Sequence, residues 1–180
     1  MTPGNPDPAD LERQGLDAYR EGRLAEAVQR LQAALEGYRA RGDRLRSAET
    51  SNNLSVVLLK TGEPRQALDA VTGTAAVFEA AGDPLRQAQA IGNEAAALEG
   101  VGRLDEAERT YRQAVDSFRR LGENEAEAQT WQALAALLLR RGRPVEAATS
   151  AQAGLEASPS PGWRRWLRSV LRFLSRFRPS

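Results

Sequence analysis

Glycine recurs in this chain at a fixed interval of 40 residues, and this spacing limits the possible folds more than any other feature. The main series is Gly22, Gly62, Gly102 and Gly142. Each of these glycines is followed five residues later by an alanine, at Ala27, Ala67, Ala107 and Ala147. A small residue stands seven positions before each of them, at Gly15, Ser55, Ala95 and Ala135. Further glycines (Gly42, Gly82, Gly122) and aromatic residues (Tyr38, Phe78, Phe118) keep the same period, which predicts an array of repeated structural units.

The segments between these glycines have the apolar spacing of amphipathic helices. In the first copy the apolar positions are Leu24, Ala27, Val28, Leu31, Ala34, Leu35 and Tyr38. Glycine is suited to the left-handed residue that ends one helix and turns the chain into the next. After Gly82, Asp83 is placed to cap the following helix and Pro84 fits its first turn. The repeating unit is therefore predicted to be a helical hairpin, with alanine where two helices cross closely.

The order of small residue, glycine turn and alanine resembles the tetratricopeptide repeat (TPR), in a 40-residue form instead of the usual length of about 34. The fourth copy closes at the shorter length and follows the common pattern at Trp131, Leu134, Ala135, Leu138, Gly142, Ala147 and Pro159, with Ala151 where a large residue is more usual. Three further positions depart from the pattern. Ser51 stands where a large apolar residue is typical, and Gln14 and Glu94 stand where leucine is typical. The resemblance covers roughly residues 8–159.

The resemblance implies an all-α protein, a right-handed superhelical solenoid of four TPR-like helical hairpins, with the first helix of each hairpin lining the concave side. The expected hairpins are 8–47, 48–87, 88–127 and 128–159. A disordered N-terminus, 1–7, is expected before them, and a linker, 160–162, is expected after them. A basic amphipathic helix is predicted over 163–178.

The composition removes most catalytic chemistry. The chain has no cysteine and no histidine, which excludes disulfides, thiolate or imidazole metal ligands and the usual general base near neutral pH. The glycines never cluster into a phosphate-binding loop, and no nucleophile elbow is present. Acidic residues such as Glu123, Glu125 and Glu127 fit the first turn of a helix. We therefore expect no enzymatic activity, no cofactor and no metal site.

A binding groove is the functional site that the resemblance implies, because TPR grooves bind extended peptides or helices. The repeat register places Arg13, Asn53 and Asn93 in one inward row, and Arg20, Lys60 and Arg140 in a second row seven residues further on. Asparagine amides offer a donor and an acceptor to a peptide backbone, which is their use in peptide-binding relatives. The nearby cations favour a ligand with carboxylates. The alternative is that these polar side chains only solvate a helix face.

The C-terminal segment from residue 163 carries six arginines and no acidic residue, whereas residues 1–162 carry 19 basic and 24 acidic residues. On a helical wheel its aromatic and aliphatic residues occupy one side and its arginines the other. Fifteen residues of helix span about 22 Å, too short to cross a bilayer of about 30 Å. The contact residues predicted from this pattern are Trp163, Arg164, Arg165, Trp166, Arg168, Arg172, Phe173, Arg176 and Phe177.

This helix has three possible roles. It can cap the apolar flank of the last hairpin, which repeat arrays require. It can also lie on an anionic membrane surface, because a tryptophan- and phenylalanine-rich face opposite an arginine face is typical of interfacial helices. Binding to nucleic acid is less favoured, because the aromatic residues lie opposite the arginines and the rest of the chain is acidic.

The function predicted from the sequence is a non-catalytic scaffold or adaptor that binds a peptide or protein segment in its groove, with the C-terminal helix as the cap. The alternatives are a membrane-peripheral adaptor on anionic lipid and a regulatory protein that binds peptides or nucleic acid. The expected location is the cytoplasm, with the inner membrane face as the alternative. This expectation rests on the lack of a long apolar run and of an export signal in Met1 to Asp10.

Overall fold

The structure is a computed structural model that describes residues 6–158. Most of the predicted N-terminal segment, the linker and the whole predicted basic helix lie outside the described residues. Within residues 6–158 the secondary structure consists of helices and turns, with no strand. The helices are α1 (Pro8–Arg20), α2 (Leu24–Ala40), α3 (Arg44–Thr61), α4 (Pro64–Val71), α5 (Thr74–Ala80), α6 (Pro84–Gly100), α7 (Leu104–Leu121), α8 (Asn124–Arg140) and α9 (Pro144–Ala157).

The helices follow the predicted hairpin order and belong to two compact units. The first unit ends at Arg103 and contains α1 to α6, and the second begins at Leu104 and contains α7 to α9. In the first unit α1 packs on α2, α2 on α3, and α3 on α4, α5 and α6. In the second unit α8 packs on both α7 and α9. The fold class is therefore all-α and built from TPR-like hairpins, as the sequence predicts.

The periodic glycines end the helices. Gly22 has φ of 78°, a left-handed conformation that is costly for residues with a Cβ atom. Its N–H donates to the Tyr19 carbonyl, and the N–H of Arg23 donates to the Ala18 carbonyl, which is the hydrogen-bond pattern of a Schellman cap. The other glycines of both series also have positive φ. Each turn therefore closes one helix without leaving its last carbonyls unpaired.

Aspartate side chains cap two of the three helices that follow the second glycine series, α3 and α6. The Asp43 carboxylate accepts a hydrogen bond of 3.0 Å from the Arg46 N–H, and the Asp83 carboxylate accepts one of 2.9 Å from the Arg86 N–H. Pro84 occupies the first turn of α6, as predicted. These caps satisfy N–H groups that have no partner inside the helix.

The other periodic residues form the core. All four alanines of the series after the turn glycines are completely buried: Ala27, Ala67, Ala107 and Ala147. Their small size lets the helices of a hairpin approach closely. The small-residue series is equally buried at Ser55, Ala95 and Ala135, and the aromatic residues Tyr38, Phe78 and Phe118 are buried as well. The period in the sequence is thus the period of the helix contacts.

The second helix of the second hairpin differs from its counterparts because it is broken. Residues 64–80 form α4 and α5 instead of one continuous helix. Gly73, between them, has φ of 82°, and the Thr74 hydroxyl donates to the Val71 carbonyl across the break. Val71, Thr72 and Thr74 are β-branched and have low helix propensity, and Gly73 permits the left-handed turn. The 40-residue pattern does not predict this break.

The first helices of the later hairpins begin four residues before the expected boundaries at 48, 88 and 128. They start at Arg44, Pro84 and Asn124, directly after their capping residues. The offset arises because the expected boundaries lie at intervals of 40 from residue 8, where α1 begins. The helices α3, α6 and α8 begin about one turn earlier in their repeats than α1 does in its own. Within residues 6–158 no helix combines the length and the apolar character that a membrane span needs.

Candidate functional site

A groove crosses the first helices of the first unit, α1, α3 and α6, and encloses about 350 Å³. We call it the first-helix groove. It is lined by Ala9, Glu12, Arg13, Leu16, Arg20, Arg46, Glu49, Asn52, Asn53, Phe78, Arg86 and Gln89. Most of these side chains are polar or charged, and the single aromatic residue among them, Phe78, is 1% exposed and belongs to the core.

Three of the predicted groove residues line this groove together: Arg13, Arg20 and Asn53. Arg13 and Arg20 form exposed ion pairs of 2.7 Å with Asp10 and Asp17 on their own helix. Such exposed pairs are weak and readily exchanged for a ligand. The Asn53 amide has no hydrogen-bond partner among residues 6–158. Its donor and acceptor are therefore available to a ligand.

The other predicted groove residues lie elsewhere. Lys60 is near the end of α3, with its ammonium nitrogen 5.1 Å from the centre of the Tyr19 ring, a cation–π distance. The Asn93 amide donates a 3.0 Å hydrogen bond to the Asn52 side chain, so it ties α6 to α3. Arg140 is an exposed residue of α8 and belongs to the second unit. The structure therefore does not bring Lys60, Asn93 or Arg140 into the lining of the groove.

A chain of alternating charges runs along the first-helix groove and joins its three helices. Arg46 on α3 donates to Glu12 on α1 at 2.9 Å and to Glu49 on its own helix at 2.8 Å. The other Glu49 oxygen lies 3.1 Å from Arg86 on α6, which also contacts Asp83. The two glutamate side chains are 7% and 12% exposed, whereas the arginine side chains are about half exposed. Each carboxylate is therefore buried and paired with arginine, and the guanidinium groups border the groove.

The buried end of this charge chain is a hydrogen-bond cluster around Glu12. Its carboxylate accepts hydrogen bonds from the Tyr38 hydroxyl at 3.0 Å and from the Thr50 hydroxyl at 3.1 Å, in addition to Arg46. Burial raises the pKa of Tyr38, and the hydrogen bond to Glu12 raises it further, while Arg46 opposes both. The cluster connects α1, α2 and α3 and sets the position of the Arg46 guanidinium.

The residues that the sequence prediction missed were detectable from the same period. Arg46 and Arg86 precede Asn53 and Asn93 by seven residues, so they lie on the same helix face two turns earlier. Glu49 and Gln89 are also 40 residues apart and form another row. The prediction included the row seven residues later but not the row seven residues earlier. The inward face thus extends further toward the N-terminal ends of α3 and α6 than expected.

The second unit has its own ion pairs, and these hold its helices together. Glu108 on α7 is buried and accepts from Arg112 on the same helix and from Arg143 before α9, both at 2.6 Å. Burial raises the pKa of Glu108, but the hydrogen bonds from these arginines outweigh it, so the pKa lies below its ordinary value. Glu127, predicted only as a first-turn acid, is buried and accepts from Arg119 at 2.7 Å and from the Trp131 indole at 3.2 Å.

The remaining predicted contact residues, Trp163 to Phe177, lie outside the described residues. In the described range no three acidic side chains come together in a way that could hold a metal ion.

The fold matches solved structures of helical-repeat proteins at low sequence identity. Aspartyl phosphate phosphatase F from Bacillus subtilis matches with a TM-score of 0.78 and 12% identity, over 91% of this chain and 44% of that chain. The Rap conjugation gene regulator of plasmid pLS20, solved with a Phr peptide, matches with a TM-score of 0.75 and 16% identity, over 89% and 47%. MamA from Desulfovibrio magneticus RS-1 matches with a TM-score of 0.67 and 22% identity, over 86% and 77%.

This chain spans less than half the length of the first two of these proteins. Among curated proteins, no sequence matches significantly. A family model described as tetratricopeptide repeat matches residues 8–80 and 86–160, which together make up most of the chain. The matched ranges contain the buried alanine series and the glycine turns described above. The chain therefore belongs to the tetratricopeptide repeat family.

Proposed function

We propose that this protein is a non-catalytic scaffold that binds an extended peptide segment of a partner protein in the first-helix groove. The observation that carries the proposal is the Asn53 amide, which lines a polar groove and has no hydrogen-bond partner among residues 6–158. An extended peptide has unpaired backbone N–H and C=O groups along its length. One asparagine side chain can satisfy one group of each kind.

The charges of the first-helix groove favour an acidic peptide. Four arginines line it, Arg13, Arg20, Arg46 and Arg86, against the two carboxylates Glu12 and Glu49. Both of these carboxylates are largely buried and already paired. Arg13 and Arg20 pair only with exposed carboxylates of their own helix, so these two guanidinium groups can exchange their partners for a ligand carboxylate. Guanidinium groups bind carboxylates with directional, charge-assisted hydrogen bonds. Nucleic acid fits less well, because the only aromatic side chain among the described lining residues is buried and offers no surface for base stacking.

The similar structures support a peptide partner by analogy of fold. The plasmid pLS20 regulator was solved with a bound peptide, and another similar Rap protein was solved with the competence and sporulation factor. These proteins share the helical-repeat fold with this chain at 15% to 16% identity.

The second part of the proposal concerns the basic segment 163–178, which we assign as the cap of the last hairpin. The net charge of residues 1–162 is negative, and the segment is strongly positive, so the two attract each other. Leu155, near the end of α9, packs against the small apolar cluster of Ala135 and Ala151. A repeat array needs a cover for its terminal apolar flank. This role fits a location in the cytoplasm.

A peptide array tests the groove. Pairs of peptides that differ only by Glu to Gln replacements are probed with the full chain at low and moderate salt. We expect the acidic member of a pair to bind, with a strong salt dependence. Asn53→Ala and Arg20→Gln are expected to weaken that binding at least severalfold. The matched controls Asn124→Ala and Arg65→Gln change exposed residues outside the groove and leave binding unchanged. Equal binding of the four variants would contradict the proposal.

A truncation tests the cap. The full chain is compared with a version that ends at Ser160, by thermal unfolding and by flotation with liposomes of anionic or neutral lipid. As a cap, the segment raises the unfolding temperature, and neither protein floats. Flotation of the full chain alone, restricted to anionic liposomes and without a difference in unfolding temperature, would instead identify a membrane-binding helix.

A further inference from the structure

A second cleft, also of about 350 Å³, lies in the first unit between α3 and the break that separates α4 from α5. We call it the repeat-2 cleft. Its lining comes from the end of α2, the first half of α3 and the residues around Gly73, and it shares no residue with the first-helix groove. A ligand in this cleft would therefore be independent of the proposed peptide partner.

Two features that are specific to the second hairpin create this cleft. Ser51, in its lining, occupies the repeat position that holds a large residue in the other hairpins: Leu11, Ile91 and Trp131. The lost side-chain volume is not refilled, because α4 ends at Val71 and the chain makes a left-handed turn at Gly73 beside it.

The base of the cleft carries an unused hydroxyl group. Ser51 is only 4% exposed, yet it lines the cleft, and its hydroxyl has no hydrogen-bond partner among residues 6–158. The neighbouring hydroxyls differ, because those of Ser47, Thr72 and Thr74 donate to backbone carbonyls at 2.6 to 2.7 Å. The Ser51 hydroxyl faces the cleft and can hydrogen-bond to a ligand there without giving up a bond within the protein.

The sides of the cleft carry two cations without partners. Most arginines of the first unit form ion pairs, but Arg39, Arg44 and Arg65 have no carboxylate partner among the described residues. Two of these three, Arg39 and Arg44, line the repeat-2 cleft. Asp69 is the single acidic residue in the lining, so the cleft has a net positive charge.

We propose that the repeat-2 cleft binds a small organic anion. Its carboxylate or phosphate is held by Arg39 and Arg44, and its uncharged body lies against Ala48 and Val77, within reach of the Ser51 hydroxyl. The volume is at the lower end of the range for small-molecule sites, which fits a compact metabolite instead of a peptide. Asp69 disfavours a second anionic group elsewhere on the same ligand.

The test is an NMR titration of the isotopically labelled full chain with three probes of the same size: phenylacetate, phenyl phosphate and neutral 2-phenylethanol. We expect at least one anion to give saturable shifts at millimolar concentration, centred on the amides of residues 47–51 and 70–77. The neutral probe should bind at least about tenfold more weakly, since it loses a charge-assisted hydrogen bond. The comparison of the two anions distinguishes a carboxylate from a phosphate ligand.

Substitutions in the repeat-2 cleft test which residues bind the anion. Ser51→Leu restores the bulk found in the other hairpins and should abolish the shifts, and Ser51→Ala, which keeps the space, should weaken binding only. Arg39→Gln with Arg44→Gln should remove the preference for anions, while the matched control Arg65→Gln should not. Saturation by neither anion, equal binding of 2-phenylethanol, or unchanged binding to Ser51→Ala and to the double arginine variant would overturn the proposal.

Discussion

Arg46 on α3 reaches across to the buried carboxylate of Glu12 on α1, with its Nη2 atom 2.9 Å from Oε2. The same carboxylate accepts hydrogen bonds from Tyr38 and Thr50, so one side chain joins the first three helices. Glu49 then links Arg46 to Arg86 one repeat further on. The residues that support the packing of the first unit are thus also the residues that border its groove.

Removal of the Glu12 carboxylate should destabilise the protein strongly. We expect Glu12→Ala to lower the free energy of unfolding by about 2 kcal/mol or more, because it leaves buried donors on Tyr38 and Thr50 without an acceptor. Glu26→Ala serves as the control, since Glu26 pairs with Arg23 and Arg30 in exposed positions. That variant should lose less than about 1 kcal/mol. Urea denaturation measures both, and similar losses would contradict the role of the buried cluster.

The small-residue series gives a test with a control one repeat away. A Cβ atom at Gly15 would lie 2.8 Å from Cγ of the fully buried Leu31, so Gly15→Ala forces the core to shift. We expect a loss of about 1 to 3 kcal/mol, although alanine is the better helix former. Ser55→Ala, at the equivalent position of α3, should lose about 1 kcal/mol or less, because it creates no clash and removes only the hydrogen bond from the buried hydroxyl to the Asn52 carbonyl. A neutral or stabilising Gly15→Ala would show that α1 and α2 are less closely packed.

Glu94 should limit stability in a pH-dependent way. Burial raises its pKa above the ordinary 4.5, and Arg103 only partly opposes this. The folded state therefore disfavours the charged form, a penalty that is absent below pH 4.5 and complete once the pH exceeds the folded pKa. Glu94→Gln should raise the unfolding temperature at pH 7 but not at pH 4. Equal effects at both pH values would exclude ionisation as the cause.

Replacement of Glu94 by leucine should stabilise the protein further. The equivalent residues Leu54 and Leu134 are buried, so Glu94→Leu should add about 1 kcal/mol at pH 7 by burying apolar surface. Glu36→Leu is the control, because Glu36 is exposed on α2. Chemical denaturation of both variants measures the difference, and no gain over the control would mean that the site cannot accept an apolar side chain.

The charge chain predicts how replacement of Glu49 changes the affinity of the groove for a peptide. Glu49→Gln removes one of the two carboxylates that line the groove, and this carboxylate pairs with both Arg46 and Arg86. If the proposed function holds, affinity for an acidic peptide should rise severalfold at low salt, and its salt dependence should become steeper. The Glu to Gln version of the same peptide should bind unchanged. Fluorescence anisotropy measures both peptides, and a weaker interaction with the acidic peptide would mean that Glu49 holds Arg46 and Arg86 in the binding geometry.

The sequence was sufficient to predict the repeat because each periodic residue acts locally. Gly22 permits a left-handed turn, Ala27 permits a close helix crossing, and Asp83 caps the helix that follows it. These effects depend on residue type and on neighbours within a few positions, so they can be identified from one chain. The inward helix face was partly predicted for the same reason, since a row such as Arg13 and Asn53 follows from the period alone.

Only the tertiary structure decided which partners the polar side chains have. Asn93, predicted to bind a ligand, is tied to Asn52, while Asn53 has no partner among the described residues. Both asparagines have the same place in the repeat, but the residue equivalent to Asn52 one repeat earlier is Glu12, whose carboxylate already has other partners. The cleft beside Ser51 likewise depends on how α4 and α5 pack after the break at Gly73. Contacts between residues about 40 positions apart are set by the packing of whole helices, which no local pattern encodes.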